Sequence, residues 1–106
     1  MAIDWLDPWY EVSDPAIREG LAKQLAQEVG TKHALYRVRL ALIARRDDTD
    51  DALFLLEDGR VAEVHMTWRK TAEPDPRWPA TAIFASLEDW ARARMTPLHE
   101  ELKNLR

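Results

Sequence analysis

The chain has 106 residues, 46% of them hydrophobic, which is the length of one ordinary domain with a core of its own and too short for two. It has no cysteine, which excludes disulfides and thiolate metal sites, and its net charge of -4 disfavours nucleic acid and anionic membrane while mildly favouring a basic partner. No basic start followed by an apolar run and no stretch near eighteen apolar residues occurs, so the expectation is a cytoplasmic protein without a membrane partner.

Residues 1–13 read as an aromatic leader, in which Trp5, Leu6, Trp9, Tyr10 and Val12 are interrupted by Asp7-Pro8, a break that blocks a continuous helix. Two tryptophans in so short a stretch predict an extended segment pinned across a groove of the core, the alternative being a partner-binding anchor. A helix over 14–29 follows. Asp14 or Ser13 caps it, Pro15 takes its first position and Gly30 stands just past its end. Ile17, Leu21, Leu25 and Val29 form its apolar face, with Glu19, Lys23 and Gln27 opposite.

Residues 35–68 read as three antiparallel strands. From Leu35 to Arg46 the pattern has period two, with Tyr36, Val38, Leu40, Leu42 and Ala44 on one side. Asp58-Gly59 then marks a hairpin with a two-residue turn, which sets Leu56 opposite Val61 and Phe54 opposite Glu63. Pairing Arg45 with Ala52 across the acidic tip Arg46–Asp51 puts Leu53, Leu55, Val64, Met66 and Trp68 on the core face. Ile43, Phe54, Leu56 and Val61 then cluster on the outer face, an apolar patch that a second copy of the chain or the Trp5–Val12 leader is expected to cover. The proline-rich stretch 69–80 reads as a rigid loop. After it come a short fourth strand at 81–85 and a helix over 86–105, capped by Ser86 and kinked or divided near Pro97. Leu87, Ala91, Met95, Leu98, Leu102 and Leu105 form its stripe. The fold class is therefore α+β, an antiparallel meander of three to four strands with two helices packed on it.

Chemistry is best approached by elimination. Ser13 and Ser86 both stand where an N-cap is wanted, and the three glycines are too scattered for a phosphate loop. His33, His65 and His99 lie on separate elements without metal-motif spacing. His65, two positions from Glu63, gives the one acid–base pair worth weighing. Asp47, Thr49 and Asp51 alternate as in a calcium loop, yet Ala52 replaces the required glycine and Asp58 the closing glutamate. The four tip aspartates, Asp47, Asp48, Asp50 and Asp51, instead suit a charged contact with a basic partner. Trp78 either folds back to meet Trp68 and Trp90, the arrangement expected, or stands out as a binding hot spot.

Within residues 65–95, Thr67-Trp68 at the end of a strand, Trp78-Pro79 at the close of the proline loop and Asp89-Trp90 at the start of a helix resemble a group of small uncharacterised bacterial proteins. Those proteins look like the immunity partners of bacterial polymorphic toxins. The resemblance implies no site residue. The expectation is a protein–protein interaction domain without catalysis or cofactor, in the resembling case one that neutralises a toxin. The alternatives are a small enzyme using His65 and Glu63, and a self-associating structural domain such as a homodimer. Ile43, Phe54, Leu56, Val61, the four aspartates and Trp78 are the interaction candidates.

Overall fold

The computed structural model describes residues 3–105. Five strands, β1 (Trp9–Glu11), β2 (Leu40–Arg46), β3 (Asp51–Leu56), β4 (Val61–His65) and β5 (Thr81–Phe84), form one antiparallel meander in sequence order. Helix α1 (Pro15–Glu28) follows β1, and a continuous C-terminal helix runs through α2 (Leu87–Trp90), a π-helical turn (Ala91–Met95) and α3 (Thr96–Asn104). The class is α+β as expected, with one strand more than the sequence suggested. The extra strand is the leader: Trp9, Tyr10 and Glu11 pair with Arg46, Arg45 and Ala44.

Helix α1 begins as the residues dictate. Asp14 accepts the Ala16 N–H and Pro15 occupies the first turn, where a missing N–H costs nothing. It ends against the proline loop, so close that a Cβ on Gly30 would collide with the Glu73 carbonyl. Leu25 and Val29 are buried and Leu21 is half-buried, whereas Ile17 stays exposed.

The hairpin register differs from the expected one by a single residue. Leu55 pairs with Val61, Phe54 with Ala62 and Leu53 with Glu63. Asp58 does not enter the left-handed region, which Gly59 alone takes at φ 92°, and Leu56 N–H bonds the Arg60 carbonyl around a three-residue loop. Such a loop needs only one positive φ, whereas the two-residue turn needs two. Because side chains alternate, this slip exchanges the faces. On the β2 side Arg45 does pair with Ala52, but a bulge between Leu42 and Ala44 shifts everything beyond it, so that Leu42 meets Phe54.

The supposed outer patch is accordingly not one surface. Phe54 and Leu56 belong to the core under α1, with Leu42, Ala62, Val64 and Met66. Ile43 and Val61 belong to a second core on the opposite face, with Leu53, Trp9, Leu87, Trp90 and Met95. Phe54, Leu56 and Val61 are buried by this chain's own elements, so no second copy is needed to cover them. The leader does cover part of the second core, through Ile3, Trp5, Leu6 and Trp9.

Strand β2 also begins later than the alternation suggested. Residues 33–37 form successive turns, in which His33 N–H bonds the Gly30 carbonyl, Tyr36 N–H that of His33 and Val38 N–H that of Leu35. The His33 ring is buried and serves this turn. Its Nδ1 accepts the Leu35 N–H, which leaves Nε2 to donate to the Pro79 carbonyl.

The C-terminal helix passes Pro97 without a break. Proline removes one donor from the ladder, and the helix absorbs this by widening one turn: Thr96 N–H reaches back five residues to the Ala91 carbonyl. At its start Ser86 Oγ accepts the Asp89 N–H, the expected cap.

Candidate functional site

The three tryptophans bracketing the proline loop do not meet. Trp90 is fully buried and packs with the leader, its ring centroid 4.9 Å from Trp9 in an edge-on arrangement and 5.9 Å from Trp5. Trp68 and Trp78 are 43% and 47% exposed. Trp78 therefore does not anchor the proline loop. The pattern of apolar residues concealed the contact of Trp90 with the leader, since it gave Trp5 and Trp9 no partner in the distant C-terminal helix.

The exposure of Trp68 is enforced. Its φ is 61°, the left-handed region that a bulky side chain enters only under constraint. The constraint is Glu28, in the last turn of α1 and completely buried. One of its carboxyl oxygens accepts the Thr67 N–H at 2.9 Å and the Thr67 hydroxyl at 2.8 Å. The other accepts the Trp68 N–H at 3.1 Å and the Gln24 amide at 2.9 Å. Gln24 and Gln27 also donate to the Arg69 carbonyl, and the Glu73 N–H bonds the Glu28 carbonyl. The loop's entry is therefore stitched to the helix end, with the Trp68 indole turned outward.

Around that indole lie further large groups. The Arg45 guanidinium is 5.6 Å from the Trp68 ring centroid, within range of a cation–π contact. Tyr10 is 43% exposed and stands directly across from Arg45 in the sheet, on the same face. Tyr10, Ile17 and Arg45 also line a shallow cavity of about 240 Å³ with Val12 and Asp14. The exposed Tyr10 and Trp68 and the half-buried Arg45 thus form a row along one end of the sheet. None of the three was singled out as an interaction residue from the sequence, because the misplaced register put Trp68 on the core side.

Trp78 stands near the far end of the same proline loop, which is tied there by its own side chains. Asp75 accepts both the Arg77 N–H and its guanidinium, with oxygen–nitrogen distances of 2.7 to 3.1 Å. These bonds lower the Asp75 carboxyl to about 2, so it remains ionised at any ordinary pH.

The acidic tip is only partly free. Asp48 takes the Arg46 guanidinium in two bonds of 2.8 Å, which hold its carboxyl below the usual range and raise the Arg46 guanidinium. Asp51, the first residue of β3, accepts from Thr49 Oγ1 at 2.6 Å and lies 3.8 Å from Arg46 and 3.1 Å from His65 Nδ1. Its side chain is 17% exposed, so it is not interchangeable with the exposed Asp47 and Asp50. Asp47→Asn with Asp50→Asn is expected to change stability by less than about 0.5 kcal/mol, and adding Asp51→Asn to lower it by about 1 kcal/mol, in urea unfolding curves.

His65 and Glu63 have different partners. Glu63 is buried and bonded on both oxygens, by Trp90 Nε1 at 2.8 Å and by the Arg94 guanidinium at 2.7 and 3.3 Å. The Arg94 guanidinium is raised in turn, first by this bond and then by the Glu63 charge. His65 is hydrogen-bonded to Asp51. Both line a shallow cavity of about 220 Å³ with Thr81 and Arg94. His99 donates its Nδ1 hydrogen to the Asp7 carbonyl and ties α3 to the leader. Among the described residues no group of three or more histidines or carboxylates could hold a metal ion, and no helix is long and apolar enough to cross a membrane. No protein-family model, curated protein or solved structure matches this chain.

Proposed function

We propose that this chain is a non-catalytic protein-binding domain, and that the row Tyr10, Arg45 and Trp68 is its contact surface, with Trp78 a further anchor. The observation that supports this reading is the Trp68 backbone. A buried carboxyl group holds a bulky residue in a strained conformation whose outcome is an indole in solvent, and such strain is characteristic of binding sites. Tryptophan, tyrosine and arginine are also the side chains that dominate interface energetics. The exposed Asp47 and Asp50 lie at the same end of the sheet and suit a basic partner. In the more specific form suggested by the resemblance of residues 65–95, that partner is a bacterial toxin. The acid–base alternative has less support, since both oxygens of Glu63 are already bonded to Trp90 and Arg94.

The test is co-expression with a toxic basic protein encoded beside the gene for this chain. Trp68→Ala combined with Arg45→Ala should abolish protection of the cell while leaving the melting temperature within a few degrees of the parent. Full protection by that double variant would overturn the surface. Absence of any complex between the two purified proteins would overturn the immunity form of the reading.

A further inference from the structure

A cavity of about 480 Å³ lies elsewhere, between the C-terminal half of α1 and the segment Leu35–Leu40 that leads into β2. Its volume is within the range of small-ligand sites, about 300 to 1,000 Å³. Leu25, Val29 and Leu35 are buried side chains on its wall, and Val38 and Leu40 are half-buried there, so the interior is apolar. The rim is not. Arg37 and Arg39 both line the cavity and both are exposed.

These two arginines differ from most others in the chain. Arg46, Arg60, Arg69, Arg77, Arg92 and Arg94 are each paired with a carboxylate. Among the described residues Arg37 and Arg39 have no ion pair, and the Arg37 guanidinium rests 5.3 Å from the centroid of the neighbouring Tyr36 ring. Arg37 also has a φ of 58°, so its backbone is held in the left-handed region at the cavity mouth. An arginine with a left-handed backbone and a second arginine two residues on, neither in an ion pair among the described residues, thus line the rim of an apolar hollow, although Glu57 and Asp58 share a neighbouring hollow with them; a ligand with one anionic end and an apolar body would match that rim.

We propose that this groove binds a medium-chain amphipathic carboxylate, its alkyl chain among Leu25, Val29, Leu35 and Leu40 and its head group between Arg37 and Arg39. Two planar guanidinium forks match the geometry of a carboxylate. The groove uses no residue of the Tyr10, Arg45 and Trp68 row, so the inference does not rest on the protein-binding reading.

The test is titration of the full ¹⁵N-labelled chain with decanoate below its micellar concentration. Saturable shifts should appear at Ala22, Ala26, Val29 and the amides of 35–40. Affinity should rise about tenfold for every two methylenes from octanoate to dodecanoate. Arg37→Gln with Arg39→Gln should weaken decanoate at least tenfold, and Ala26→Phe, which fills the groove from the exposed side of α1, should abolish binding. Both variants should keep the parent melting temperature, as these side chains are exposed. The proposal is overturned by shifts that do not saturate or that map to another cavity, by decylamine binding as tightly as decanoate, or by equal affinity in the arginine variant. A dimer that fills the groove and resists decanoate would overturn it as well.

Discussion

Replacing Glu28 by alanine is expected to lower stability by about 2 to 4 kcal/mol, because it leaves a void at a fully buried position and takes the acceptor from part-buried donors of the loop. For a domain whose whole stability is about 5 to 15 kcal/mol, that is a large share. The affected donors are the Thr67 N–H and hydroxyl and the Trp68 N–H, which the same carboxyl group gathers at the end of α1. Glutamine separates the hydrogen bonds from the shape. A glutamine amide has one accepting oxygen, so it can satisfy Thr67 and must turn its NH₂ toward the Trp68 N–H. We expect Glu28→Gln to cost about 1 to 3 kcal/mol and to free Trp68 from its left-handed conformation. Urea unfolding gives the first quantity, and amide hydrogen exchange at Thr67 and Trp68 reads the second. A Glu28→Ala protein melting within a few degrees of the parent would show that the loop is held by something other than this carboxyl group.

Glu28 also shows why the fold was more legible than the site. Helix starts, the position of the Gly59 turn though not its length, the strand after the proline loop and the Ser86 cap are decided by residues within a few positions of one another, and these elements were readable. The faces of the sheet were not. A loop one residue longer around Gly59 and a bulge at Ile43 each shift pairing by one, and every side chain beyond such a shift changes sides. Phe54 and Leu56 therefore moved from a supposed binding patch into the core under α1, while Trp68 moved from the core to the surface. Glu28 falls on the same helical face as Ile17, Leu21 and Leu25, so periodicity places a carboxylate on the buried stripe, but its partners are some forty residues away, at Thr67 and Trp68. No local pattern announces a contact of that separation. The available signals were that carboxylate on the apolar face and Gly30 just past the helix end, where a glycine lets the Glu73 carbonyl approach.

The second large effect is expected at Trp90. Trp90→Ala should cost about 3 to 5 kcal/mol and depress the melting temperature by roughly 15 °C or more, since it removes the side chain on which the second core converges. Trp90 contacts Trp5 and Trp9 through its ring and Glu63 through its Nε1 hydrogen, so it joins the leader, the C-terminal helix and β4 at one point. Phenylalanine tests the polar half of this arrangement. Trp90→Phe keeps most of the apolar volume and deletes the 2.8 Å bond to Glu63, whose remaining partner is Arg94 at 2.7 and 3.3 Å. Because Arg94 is half-exposed and already spans both oxygens, it can compensate only in part, and the loss should be about 2 kcal/mol. Adding Arg94→Met to Trp90→Phe should then cost more than the sum of the two single changes, as Glu63 would be buried with no partner at all. Four melting curves, for the parent, the two single variants and the double, close this cycle. Strict additivity would mean that Glu63 reaches solvent when Trp90 is lost, and that the second core opens at the leader.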